Sequence, residues 1–199
     1  MSERTGTSGL RLFVGMRLAA AAREQLGERT GLLESTGSRS IRLIPRENYH
    51  ITLYFIGDPR PITAGMVEHT LDERLPAVVE RVLPVETQIQ RWGVFPSRKR
   101  PRVVWAGVAD DGEIAGIAGE VTAALETLGM EAPRRRFTPH ITVGYVRREV
   151  FAADVAAALE EHAFGAPVAV RLDSVSLIKS TPGPDGSTYE DLKMWRTQR

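Results

Sequence analysis

The stretch YHITLYFIG, Tyr49 to Gly57, returns ninety residues later in altered form as PHITVGYVR, Pro139 to Arg147. Both read as β-strands, since branched and aromatic residues alternate with polar ones. A strand sends successive side chains to opposite faces. His50, Thr52 and Tyr54 are therefore expected on one face, and Ile51, Leu53 and Phe55 on the other. In the second stretch His140, Thr142 and Gly144 share a face, while Ile141, Val143 and Tyr145 point to the core. Each strand offers an imidazole and a hydroxyl about 7 Å apart along one line. The chain has four histidines, and two of them carry Ile at +1 and Thr at +2.

The flanking sequence says what these strands are embedded in. A chain of 199 residues, 42% hydrophobic and 26% charged, has enough apolar material for a core and fits one domain with two lobes, residues 1–199. A net charge of +1 excludes a global field for polyanions and leaves room only for local basic patches. With no cysteine there are no disulfides, thiolate nucleophiles or cysteine zinc sites. No apolar run approaches the ~18 residues of a membrane span. The polar opening MSERTGTSGL has no signal core; residues 1–9 read as disordered. A soluble, cytoplasmic protein is expected.

Strands and helices alternate along the chain. LRLFVGMRL reads as a strand, and the Ala- and Leu-rich Ala19–Thr36 as a helix. IRLIP and HITLYFIG follow as strands, then a helix with Thr63 at its N-cap. VETQIQRWGVF and Arg102–Val108 are strands around the turn-rich PSRKRP. A helix opened by Asp and closed by Gly129 leads into the second HIT strand. DVAAALEEHAF is helical, VAVRLDSVSLIKS one strand, TPGPDGST a long turn and YEDLKMW the last strand. The order strand, helix, HIT strand thus occurs twice. An α+β fold of two lobes is expected, each a largely antiparallel sheet with helices on its outer face.

Two imidazoles near one another can divide the work of a hydrolysis: one takes a proton from water while the other gives one to the leaving oxygen. Histidine suits both roles, with an ordinary pKa of about 6.5. Two threonine hydroxyls can hydrogen-bond the non-bridging oxygens of a phosphate between them. This is a kit for phosphodiester cleavage without a metal. No HExxH, Gly-rich phosphate loop or carboxylate–histidine cluster is present, so neither a metal nor a cofactor is expected.

At these residues the chain resembles the two-histidine phosphoesterases, and within them the bacterial RNA 2′,3′-cyclic phosphodiesterases of the LigT-like, "2′-5′ RNA ligase" family. HITL (His50–Leu53) and HITV (His140–Val143) match the His-x-Thr-x signature. RLFVGM, ENYHITLYFIGD, GVFPSRKRPRVVWAGV, RRRFTPHITVGYVR and SVSLIKSTPGPDGSTYEDL resemble family blocks in family order, covering about residues 11–195. The resemblance implies a bilobal, pseudo-symmetric fold with two antiparallel sheets lining a central cleft. It implies opening of a 2′,3′-cyclic phosphate to a 2′-phosphate, together with reversible 2′-5′ RNA ligation. His50 would be the proton donor, His140 the proton acceptor, and Thr52 and Thr142 the phosphate ligands. The partners implied are RNA ends or small nucleotides bearing a cyclic phosphate, with no obligate protein partner.

The chain departs from the family at Tyr145, where many members carry Arg. Strand parity points Tyr145 away from the His140 face, and Arg136 is a candidate replacement for the charge. Tyr54, on the His50 face, is a candidate to stack on a base. The clusters Arg134–Arg136 and Arg98–Arg102 could follow an RNA backbone or be solvated loops. Phe95 and Trp105 read as core. Small cyclic nucleotides, 2′,5′-linked oligonucleotides, and a non-catalytic module holding RNA ends are the alternatives.

Overall fold

The computed structural model describes residues 11–37, 40–59, 61–147, 151–183 and 186–197. The expected disorder of residues 1–9 lies outside the described residues. Nine strands form: β1 (Arg11–Arg17), β2 (Ile41–Leu43), β3 (His50–Gly57), β4 (Val85–Ser97), β5 (Arg100–Val108), β6 (His140–Val146), β7 (Val168–Leu172), β8 (Ser174–Gly183) and β9 (Gly186–Arg196). Four helices join them: α1 (Ala20–Gly37), α2 (Ala64–Val82), α3 (Glu113–Glu126) and α4 (Ala152–Glu161). The helix ends follow local chemistry. Thr63 accepts a hydrogen bond from the Met66 N–H at the start of α2. The Asp110 carboxylate accepts from the N–H groups of Gly112, Ile114 and Ala115 at the start of α3. Gly129, with φ of 80°, turns the chain just after it.

The strands make one antiparallel sheet in the order β7-β4-β5-β6-β3-β1-β8-β9, with β2 paired to β6. The two sheets expected from the sequence are its two halves. They join at one residue pair, Ile51 of β3 with Ile141 of β6. Helices α2 and α3 pack on each other and against β3, β8 and β9; α1 and α4 pack together and against β2, β5 and β7. Ile51, Ile141, Val143, Leu71, Val121 and Leu125, all 0% exposed, belong to the core that these layers enclose.

The repeat inferred from the two HIT motifs is visible in the pairing. The successions β1-α1-β3-α2 and β5-α3-β6-α4 correspond, and β1 pairs β3 as β5 pairs β6. The strand after α2, β4, pairs with β5 of the second unit, while β8 pairs with β1 of the first. Each helix that precedes a HIT strand packs on the opposite half. Neither unit can bury its own sheet, so the lobes interlock.

Two boundaries differ from the sequence reading. VAVRLDSVSLIKS forms two strands, not one. It breaks at Asp173, so that β7 adds to β4 and β8 crosses to β1. TPGPDGST and PSRKRP are mostly strand: β8 continues to Gly183 before β9 begins at Gly186, and β4 reaches Ser97 before β5 begins at Arg100. Turn-forming residues marked the hairpins, but cross-strand pairing extended them.

Candidate active site

The site is built where β3 and β6 meet. Ile51 pairs with Ile141 in antiparallel register. One step either way along that register His50 lies towards Thr142 and Thr52 towards His140. The two isoleucines are fully buried toward the helices. The four polar side chains therefore share the other face, as neighbours in one sheet and not on two facing sheets. That register makes the two imidazoles diagonal neighbours on the sheet, and His140 adds to the electrostatic surroundings of His50. Only one residue pair bridges β3 and β6, so the strands part on either side and open a gap between the two His-Thr pairs.

Each imidazole is oriented by the backbone two residues before it. His50 Nδ1 lies 2.6 Å from the Asn48 carbonyl oxygen, and His140 Nδ1 lies 2.7 Å from the Thr138 carbonyl oxygen. A carbonyl oxygen only accepts, so Nδ1 carries the proton in both rings and Nε2 is left for chemistry. At His50, Nε2 is 3.0 Å from Thr52 Oγ1, which donates to the neutral ring. The entry to β3 is anchored from below. Tyr49 is buried, and its hydroxyl meets that of Thr30 on α1 at 2.9 Å. Asn48 also donates from Nδ2 to the Ser187 carbonyl at 2.7 Å, tying the His50 turn to β9.

Sequence reasoning missed the aromatic walls. Phe13 of β1 lies against His50 with ring centroids 4.6 Å apart, and Tyr189 of β9 meets it edge-on at 5.3 Å. Phe95 and Trp105 flank His140 at 4.9 and 6.0 Å. These two were read as core; Trp105 is buried, yet it stands beside Thr142 in register, on the site face. Gly15 leaves room on that face: a Cβ there would come 2.8 Å from the Ile51 carbonyl and 3.5 Å from the His50 ring.

Burial pushes His50 down to about 4, with Arg17 and His140 adding to the effect and the Asn48 carbonyl and Asp191 opposing it. Burial also lowers His140, against the pull of its Thr138 carbonyl. Both rings are therefore neutral at neutral pH. Arg17 faces His50 across the β1–β3 pair and is held by Asp191 at 2.9 Å. It is the fixed positive charge of this end of the site, whereas the sequence offered Arg136 as the replacement charge beside the second motif, at Tyr145. Arg136 is exposed, and no hydrogen bond or ion pair joins it to either imidazole among the described residues.

Two further expectations are corrected by one kind of irregularity. Between β1 and β3 the register shifts, so that Gly15 faces Thr52 while Val14 faces Tyr54 and Phe13 faces Phe55. Leu53 is the extra residue of a bulge, and strand parity reverses after it. Tyr54 therefore turns into the core, 6% exposed, and donates to the Glu131 carbonyl at 2.7 Å; it does not face the site. Phe55 takes the site face. The same shift recurs between β5 and β6, with Val143 as the extra residue, so Tyr145 returns to the His140 face.

Among the described residues no three His, Cys, Asp or Glu side chains come together as a metal site. No helix is long and apolar enough to cross a membrane among them.

Comparisons with known proteins place the chain in a family. The family model for the 2′-5′ RNA ligase superfamily matches residues 20–184. A protein of Archaeoglobus fulgidus named RNA 2′,3′-cyclic phosphodiesterase is 31% identical over 187 residues, covering 94% of this chain and 99% of that one. Its namesake from Methanocaldococcus jannaschii is 27% identical over 189 residues, with 94% and 100% covered. Among solved structures, LigT of E. coli complexed with 3′-AMP superposes with a TM-score of 0.68 at 22% identity, covering 95% of this chain and 98% of that one. A Thermus thermophilus structure gives 0.69 at 21%, with 95% and 100% covered. The chain belongs to the 2′-5′ RNA ligase superfamily.

Proposed function

We propose that this chain is an RNA 2′,3′-cyclic phosphodiesterase that opens a terminal cyclic phosphate to a 2′-phosphate. The observation that carries this reading is the pair of imidazoles on one sheet face, each with Nδ1 tied to a backbone carbonyl and Nε2 left for substrate. With the cyclic phosphate between them, His140 Nε2 takes a proton from water as the water oxygen bonds to phosphorus. The bond from phosphorus to O3′ breaks, and O3′ receives the proton held by His50 Nε2. The hydroxyls of Thr52 and Thr142 donate to the non-bridging oxygens, with Arg17 adding positive charge at the His50 end.

His50 can fill the donor role only with substrate bound. Its pKa of about 4 leaves it unprotonated at neutral pH. The phosphate anion favours the charged ring and raises that value. Joining a cyclic phosphate to a 5′-hydroxyl uses the same groups in the same roles: the 5′-hydroxyl takes the place of water, His140 takes its proton as O5′ bonds to phosphorus, O3′ leaves with the proton of His50, and water as the abundant nucleophile favours hydrolysis. An RNA substrate fits a cytoplasmic enzyme.

An activity panel tests the proposal. Cyclic mononucleotides, a short RNA ending in a 2′,3′-cyclic phosphate, and a 2′,5′-linked oligonucleotide are offered with and without a chelator, and products are identified. The expected outcome is a 2′-phosphate from the cyclic ends, at a rate the chelator does not change. A 3′-phosphate product would overturn the assigned leaving group. Metal-dependent turnover would overturn the acid–base scheme. Binding with no turnover would bring the RNA-end-binding reading forward.

A further inference from the structure

The two hairpins that wall the site differ in charge. Residues 90–108, on β4 and β5, include Arg91, Arg98, Lys99, Arg100 and Arg102 and no Asp or Glu. Residues 174–196, on β8 and β9, hold three cations and three carboxylates. The lysines of β8 and β9 are neutralised by neighbours, Lys179 by Glu190 and Lys193 by Asp72, each at 3.1 Å. The five cations of β4 and β5 are exposed, and none forms an ion pair among the described residues.

Strand pairing turns two of them to the site face. Arg91 pairs with Gly107, the partner of His140, and its guanidinium lies 5.9 Å from the Trp105 ring centroid. Ser97 shares the face of Phe95, whose ring meets His140, and Arg100 pairs with Ser97 on that same face. Lys99 is at the turn, four residues beyond Phe95, about 13 Å along the strand. Arg98 borders a slot against α4 instead.

The direction of the chemistry says which reactant this face meets. In-line displacement puts the incoming oxygen opposite the leaving one. O3′ and the strand that carries it therefore lie toward His50, and the incoming oxygen lies toward His140. Strand order extends that division: β3, β1, β8 and β9 stand on the His50 side, and β6, β5 and β4 on the His140 side. Water as the nucleophile needs no cations behind it. A nucleophile at the end of a polyanion does. We infer that the site face of the β4–β5 hairpin is the docking surface of a second RNA strand, the one whose 5′-hydroxyl takes the place of water in joining. The inference rests on the phosphodiesterase reading and on His140 as its base. The hairpin tip reaches past the reacting group, so it meets backbone phosphates further along the incoming strand, without regard to sequence. The balanced β8–β9 hairpin offers no such field to the strand that bears the cyclic phosphate.

Hydrolysis and joining measured side by side test this. The reactants are 2′,3′-cyclic AMP, a short RNA ending in a 2′,3′-cyclic phosphate, and a second RNA with a 5′-hydroxyl. The double variant Lys99→Ala/Arg100→Ala is compared with the parent and with the charge-keeping Lys99→Arg/Arg100→Lys. The alanine pair should raise the KM of the second strand roughly 2- to 30-fold, the range of two exposed ion contacts. The log–log salt slope of that KM should flatten by about 1.4, for two single-strand phosphate contacts. The charge-keeping pair should match the parent in both. Hydrolysis of 2′,3′-cyclic AMP involves no second strand and should stay at the parent rate throughout.

An unchanged KM and salt slope for the second strand would overturn the docking surface. So would a rise as large for the cyclic-phosphate strand, which would put that strand on the hairpin as well. A parent protein that hydrolyses cyclic ends and joins none would remove the second-strand site and leave the phosphodiesterase reading standing. A parent that does neither would sink that reading, and this inference with it.

Discussion

The two HIT strands are related by the pairing of the sheet, and the two imidazoles share one backbone device, yet their surroundings differ. His50 lies between Phe13 and Tyr189, has Thr52 on its Nε2, and is 9% exposed. His140 is half-buried, flanked by Phe95 and Trp105, and no Nε2 contact with Thr142 is formed. The repeat therefore places and orients both rings, while the hairpins β8–β9 and β4–β5 make them unequal. A symmetric scaffold sets geometry, and the asymmetric walls set proton affinity. Two groups with different proton affinities can serve as one acid and one base at a single pH.

The largest expected effect breaks either member of the pair. His50→Ala and His140→Ala should each lower turnover roughly 10²–10⁴-fold, the usual range for one acid or base. Single-turnover rates on a cyclic nucleotide check this. The double variant should lose far less than the product of the two, because half of a concerted pair does little. A large loss at His140 with a small one at His50 would reduce His50 to a positioning residue.

Stability in acid sharpens the comparison. The folded pKa of His50 lies below its ordinary 6.5, at about 4. Protons therefore favour the unfolded chain; the stability is full above pH 6.5 and is lost as pH falls through 4. That gap corresponds to about 3 kcal/mol. Urea unfolding at neutral pH and near the lower pKa should show this loss in the parent and a much smaller one in His50→Gln. His140 titrates in the same direction from a more open site, so His140→Gln should recover less.

Glycine substitutions probe the rigidity of the two ends. A Cβ at Gly15 would sit 2.8 Å from the Ile51 carbonyl, which is backbone and cannot yield alone. Gly15→Ala should cost about 1–3 kcal/mol in unfolding free energy. At Gly107, paired with His140, the closest atoms belong to the Arg91 side chain at 2.9 Å, so Gly107→Ala should cost less. The smallest effect separates Tyr54 from the chemistry. Tyr54→Phe removes the bond to the Glu131 carbonyl and should lower stability by about 0.5–1.5 kcal/mol, with kcat unaltered.

The parts of this molecule legible in the sequence were those that rest on local pattern. The helices followed from apolar spacing, the Thr63 cap and an opening Asp from capping chemistry, and the HIT strands from their alternation. The two bulges were not legible. Leu53 and Val143 look like ordinary core positions of a regular strand, yet each reverses the parity of the residues just after it. Tyr54 was thus assigned to the site and Tyr145 to the core, and the structure reverses both. Arg17 was hidden for another reason: its place beside His50 comes from pairing between strands more than thirty residues apart. Phe95 and Tyr189 sit on hairpins whose course over the site is set by pairing with strands far away in the chain. The double occurrence of strand, helix and HIT strand was the one long-range signal available, and it correctly anticipated which strands correspond.

The central claim is that two imidazoles of unequal proton affinity share one proton across the phosphate. The pH profile of kcat/KM for hydrolysis of a 2′,3′-cyclic nucleotide tests it most directly, because it reports the free enzyme. The profile should be bell-shaped, with both limbs on the acid side of the ordinary histidine value of 6.5, since burial lowers both rings. The limbs belong to the coupled pair. The kcat profile should lie at higher pH, where the bound phosphate has raised both groups. A kcat/KM that rises with pH through one ionisation to a plateau, with no alkaline fall, would contradict the account.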